Sequence, residues 1–109
     1  MVKMAEKYKH LARVIGMDLR NEVRRSFDVK PTWGSGDSKT DWKMAAEKAG
    51  NMIHKIAPHW LIFVGGIDAQ LDFIDAYKHP INLTLPNKLV YTGHFYGFSW
   101  LTTIWPLVS

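Results

Sequence analysis

VIGMDLRNEVR, residues 14–24, begins as a short apolar run and ends in an amide beside a carboxylate, Asn21-Glu22. The run is largely apolar, β-branched at its start and followed by polar residues, which predicts a strand over 13–20. A strand suited to burial that delivers a polar pair at its C-terminal end has a precedent in parallel α/β sheets. There, sites assemble where the strands end. The surrounding sequence decides whether such a sheet exists.

Upstream, KMAEKYKHLA (residues 3–12) reads as the end of an amphipathic helix, with Met4, Tyr8 and Leu11 on one side. Downstream, residues 23–40 form a long loop rich in turn residues, among them Pro31, Gly34, Ser35, Gly36 and Ser38. The clearest helix spans 41–57. There Trp42, Ala45, Ala46, Ala49, Met52, Ile53 and Ile56 recur at helical spacing, Ser38 or Thr40 caps the start and Pro58 stops it. Gly50 sits in its middle, which is tolerable where a helix packs closely on a sheet. WLIFV (60–64) is a continuous apolar run, the pattern of a strand buried on both faces. Residues 67–80 permit a short helix, INLTL (81–85) is extended without a sheet assignment, and KLVYT (88–92) is a third strand.

Strands alternating with helices predict a parallel sheet with right-handed crossovers. Three such strands leave two open edges. A closed (β/α) barrel takes about 250 residues, so this 109-residue chain reads as the middle of something larger.

Composition narrows the function classes. With 47% hydrophobic and 22% charged residues the chain is globular. Its net charge of +4 is spread along the chain, with only Arg20, Arg24 and Arg25 grouped, so a nucleic-acid partner is not expected. There is no Cys, hence no disulfide and no thiolate metal site. The N-terminal residues carry charges throughout and lack the apolar core of a signal peptide. No window is long and apolar enough for a membrane span, so no membrane partner is expected. Asn82-Leu83-Thr84 is a glycosylation acceptor if the chain is exported.

Three strand ends are then candidates for a common rim. The first carries Asn21 and Glu22, the second Gly65-Gly66, and the third His94, Phe95 and Tyr96. A strand-end Glu suits general acid/base work, the adjacent Asn suits donation to a substrate hydroxyl, and His94 and Tyr96 suit orientation of a polar ligand or a second carboxylate. The competing reading of Glu22 is a solvated loop acid paired with Arg24 or Arg25, and that of His94 is a packed structural histidine. The five His residues show no metal-ligand spacing, so no metal is expected. Gly65-Gly66 lacks the rest of a phosphate-binding loop. Of the five Trp residues, Trp42 and Trp60 read as core and Trp33 as a loop residue able to stack on a sugar ring. Trp100 and Trp105 are open to either role.

Three stretches carry a resemblance: VIGMDLRNEVR; TWGSGDSKTDWKMAAEKAGNMIHKIAPHWLIFVGGI; and PNKLVYTGHFYGFSW. Taken in order, they resemble glycoside hydrolase family 5, the endoglucanase or cellulase family, from about residue 4 to residue 100. The resemblance implies a partial (β/α)8 barrel, with 13–20, 60–64 and 88–92 as its fourth, fifth and sixth strands. It implies that residues 1–109 are a fragment of a family catalytic domain that cleaves β-glycosidic bonds with retention. Glu22 matches the acid/base, Asn21 the contact to the sugar 2-hydroxyl, and His94 and Tyr96 the His-x-Tyr group after the sixth strand. Neither a metal nor an organic cofactor is required, and the partner is a β-glucan.

Three departures qualify the resemblance. Val23 stands where the family usually has Pro, and Gly65 where relatives often have Glu. The nucleophilic Glu, expected on the seventh strand, has no counterpart here, since the other Glu residues, Glu6 and Glu47, lie in predicted helices. Retaining cleavage needs two carboxylates ~5 Å apart. The expectation is therefore the acid/base half of a β-glucanase site, inactive as an isolated chain. The rivals are a non-catalytic carbohydrate-binding relic and a partial barrel that self-associates through its open edges. Family members are commonly secreted, which leaves the location of this chain undetermined.

Overall fold

A computed structural model describes residues 1–95. Helix α1 (Val2–Tyr8), strand β1 (Gly16–Asp18), helix α2 (Trp42–His54), strand β2 (Leu61–Gly65) and strand β3 (Leu89–Thr92) follow one another in the predicted order. The three strands form one parallel sheet with β2 in the middle. Met17 stands opposite Ile62 in the first pair, and Phe63 opposite Val90 in the second. The ladder reaches beyond the short β1. The Leu61 N–H donates to the Ile15 carbonyl (2.9 Å) and the Leu19 N–H to the Phe63 carbonyl (3.1 Å).

The core lies between the sheet and α2. Ala46, Gly50, Ile53 and His54 are the buried positions of α2, spaced as one helical face. Gly50 is where helix and sheet come closest. A Cβ there would lie 3.2 Å from Ile62 Cγ2 and 2.8 Å from Leu83 Cδ2. Ile62 and Val64 are fully buried on the helix-facing side of β2, and Trp60 closes the bottom of the layer. Leu61 and Phe63, on the other face of β2, are only half-buried. The expectation of burial on both faces is corrected to that extent: α2 covers one face alone.

Other boundaries differ from the periodicity. Helix α1 ends at Tyr8 and buries Ala5, while Met4 and Leu11 stay exposed, so its packed stripe is shifted from the one expected. The cap of α2 is Asp41, not Ser38 or Thr40. A carboxylate satisfies more donors than a hydroxyl. Asp41 accepts the N–H groups of Gly34 (2.9 Å), Gly36 (2.9 Å) and Met44 (3.3 Å), and so folds the glycine loop onto the helix start. The loop is further pinned by paired backbone bonds, Thr32 N–H to the Thr40 carbonyl and Trp42 N–H to the Thr32 carbonyl. Residues 81–85 lie outside the sheet, and the extended reading is corrected at its end, where Thr84 and Leu85 bend. They are held on α2 by Asn82 N–H donating to Glu47 Oε1 (2.8 Å) and Thr84 N–H donating to Asn51 Oδ1 (3.0 Å).

The connection from β2 to β3 holds no full helix. A four-residue helical turn, Ile67–Gln70, is followed by a 3-10 turn, Ile74–Ala76. Asp68 (φ 50°), Ala69 (φ 59°) and Gln70 (φ 64°) are all left-handed. That conformation costs an L-residue about 1–2 kcal/mol. The loop is closed at its base by reciprocal backbone bonds between Ile67 and Asp72, at 3.1 and 3.0 Å.

Candidate active site

The C-terminal ends of the three strands meet on one rim. Past β1 the chain turns at Glu22, whose φ of 47° is left-handed. Its side chain reaches across to His94, past the end of β3. One oxygen, Oε1, lies 3.1 Å from His94 Nδ1, and the other pairs with the Arg24 guanidinium. The Glu22 side chain is 14% exposed and that of Arg24 62%. Glu22 does pair with Arg24, but it is not a solvated loop acid: its side chain is mostly buried and its other oxygen is held by His94. With Arg24 exposed to solvent, an ion pair of this kind is worth ~0–1 kcal/mol. His94 is half-buried, and its Nδ1 is fixed on Glu22 when it carries the proton.

Asn21 is exposed on the same rim, one residue before Glu22. Tyr96, Trp100 and Trp105 lie outside the described residues. Trp33 is corrected from an open stacking platform to a packed residue. It is only 5% exposed, its indole N–H donates to the His79 carbonyl (2.7 Å), and its ring abuts Phe73 and Tyr91. An aromatic of that size is stabilised more by full burial with its N–H satisfied than by an open face. Trp60 is core, as expected. Trp42 packs partly against the core and donates its indole N–H to the Gly65 carbonyl (2.9 Å).

The sequence reading missed Gln70, which is fully buried at the centre of the rim. Its Oε1 accepts the Glu22 N–H at 2.6 Å. Its Nε2 donates toward the Thr92 carbonyl (3.3 Å) and hydroxyl (3.2 Å), and its own carbonyl accepts the His94 N–H (3.2 Å). Gly65 makes the room: a Cβ on Gly65 would lie 2.3 Å from Gln70 Cγ. The one signal in the sequence was the Gly65-Gly66 pair, which marks close approach of another group at the end of a buried strand.

The profile of the cellulase family, glycosyl hydrolase family 5, matches residues 1–105. This chain belongs to glycosyl hydrolase family 5. It is 36% identical over 105 residues to an endoglucanase from Paenibacillus polymyxa, a match covering 86% of this chain and 25% of that protein. Its fold superposes on the catalytic domain of the major endoglucanase from Xanthomonas campestris pv. campestris with a TM-score of 0.79 at 30% identity. That match covers 97% of this chain and 34% of that domain. An endocellulase from Pyrococcus horikoshii, solved in complex with cellotetraose, gives a TM-score of 0.76 at 34% identity, over 88% of this chain and 32% of that one. The family 5 chain thus spans about a third or less of the relatives it matches. Its three parallel strands and helices are part of a (β/α)8 barrel.

Proposed function

We propose that residues 1–109 are part of a family 5 catalytic domain that hydrolyses β-glycosidic bonds in a β-glucan with retention, and that they supply the acid/base half of its site. The observation that carries this reading is the placement of Glu22. A largely sheltered carboxylate stands at the C-terminal rim of a parallel sheet, hydrogen-bonded to His94 from another strand end. Glu22 protonates the leaving glycosidic oxygen and then takes a proton from the water that attacks the glycosyl-enzyme. Asn21 addresses the sugar 2-hydroxyl, and His94 and Tyr96, which match the family's His-x-Tyr group, bind the substrate. The nucleophile is a second carboxylate ~5 Å away. Neither remaining Glu of the 109 residues fills that role: Glu6 is exposed on α1, and Glu47 is engaged with Lys43 and the Asn82 N–H on α2.

The isolated 109-residue polypeptide is accordingly inactive on a soluble β-glucan. Exchanged for the matching segment of the Paenibacillus polymyxa endoglucanase, it supports hydrolysis, and Glu22→Gln in that hybrid lowers kcat by about 10²–10⁴. A Glu22→Gln hybrid as fast as its parent would overturn the assignment of Glu22.

A further inference from the structure

We propose that Gln70 is the positioning residue of the rim: it sets the backbone of Glu22 so that the carboxylate faces His94. Four observations converge on this one side chain. It is fully buried although it lies in a strand-end loop. Its two amide atoms point to different strand ends, the oxygen to the Glu22 N–H after β1 and the nitrogen to Thr92 at the end of β3. Its backbone carbonyl holds the N–H of His94, the partner of Glu22. The loop that carries it keeps three successive left-handed residues, and its Ala69 N–H donates to the Val23 carbonyl (2.9 Å), beside Glu22.

The arrangement has a directional logic. An amide both accepts and donates, so Gln70 bridges an N–H on one side and a carbonyl on the other. Neither a carboxylate nor a hydrocarbon of the same length satisfies both. Glu22 itself is left-handed, a conformation that persists in a non-glycine residue when surrounding contacts hold it. The bond to Gln70 is such a contact. Gly65 belongs to the same device, because any side chain there would occupy the volume of the Gln70 side chain.

The proposal rests on the reading of Glu22 as acid/base for its functional meaning, but its test does not. Amide hydrogen exchange and the Glu22 carboxyl ¹³C resonance are followed by NMR in the Paenibacillus polymyxa hybrid, where the outer strands have neighbours. Gln70→Met keeps length and removes the three side-chain hydrogen bonds. Gly65→Ala leaves Gln70 chemically intact and displaces it, so it stands in if Gln70→Met does not fold. Both variants are expected to speed exchange of the Glu22 amide by at least about fivefold, the size of losing one hydrogen bond of ordinary net strength. The core amides of Ile62 and Val64 keep their rates, and the carboxyl resonance moves as it does in His94→Ala. Gln70→Glu, which keeps an acceptor oxygen for Glu22 but sets a carboxylate against the Thr92 carbonyl, restores the protection only in part. Unchanged Glu22 signals in the folded variants overturn the proposal. So does a uniform rise that includes Ile62 and Val64, which would make Gln70 an ordinary packing residue. Should these signals respond as expected while the Glu22→Gln hybrid stays active, Gln70 positions a glutamate that is not the acid/base.

Discussion

Asp41 shows how much one carboxylate can organise. It caps α2 and holds the N–H groups of two glycines from the long loop. Its burial pushes the carboxyl pKa up. The backbone N–H groups of Gly36, Gly34, Met44 and Lys43 together outweigh that, and the net position is below the ordinary value. The folded state therefore binds its proton more weakly than the unfolded chain. The contribution to stability is complete above the unfolded carboxylate range and is lost as pH falls through the folded pKa, below about pH 4. Denaturant unfolding across pH 2–6 should show this acid loss and should show a flatter profile for Asp41→Asn. At neutral pH, Asp41→Ala is expected to cost about 1–2 kcal/mol, the range for a helix cap that also leaves donors unmet. Residue by residue, the sequence was informative where chemistry and position coincide. Asn21, Glu22 and His94 stood at predicted strand ends, and the structure brings Glu22 and His94 into contact. It was uninformative where a role depends on loop conformation. Gln70 reaches the rim through consecutive left-handed residues that no local pattern announces, and Trp33 turns inward on a bond to a carbonyl 46 residues away in sequence.

At the scale of elements, the strongest periodicity gave the most faithful element, α2, and the apolar run gave β2. Boundaries slipped where pattern and packing disagree. The helix stops at His54, short of Pro58, which has no N–H to carry the ladder on, and its last turn tightens. Both the Ile56 and Ala57 N–H groups go to the Ile53 carbonyl. The connection between β2 and β3 was ambiguous because it contains turns rather than a helix. Gly50 offers an element-scale test. Ala in its place would favour the helix by about 1 kcal/mol. Its methyl, however, would meet Ile62, a β-branched side chain fixed in the core, as well as the more pliant Leu83. Overpacking of that kind costs about 1–3 kcal/mol. Packing is expected to win, so Gly50→Ala lowers stability by about 1 kcal/mol in urea unfolding with an unchanged m-value. A stabilised Gly50→Ala would mean that the helix rides further from the sheet than this close approach requires.

For the whole molecule, the alternation of strands and helices was enough to predict a parallel sheet, and the ordered set of stretches was enough to place it within a barrel family. A sheet of this kind raises a question that the residues alone do not answer, namely what meets its outer strands. Among the described residues β1 and β3 each pair on one side only. Ile15, whose carbonyl extends the β1 ladder, leaves its side chain 65% exposed, and the Leu61 and Phe63 face of β2 is half open. In a closed (β/α)8 barrel, neighbouring strands take up such edges and inward-facing side chains fill such a face. Unmet, an edge with apolar neighbours is a template for another chain. The 109-residue polypeptide made alone is therefore expected to self-associate. Sedimentation velocity from micromolar to tens of micromolar should show species heavier than the 12.5 kDa monomer that grow with concentration. Parallel circular dichroism should retain the helix and strand signal, since association through edges preserves the fold where general unfolding would not. A single folded 12.5 kDa species over the whole range would show that the two outer strands are protected within the chain itself.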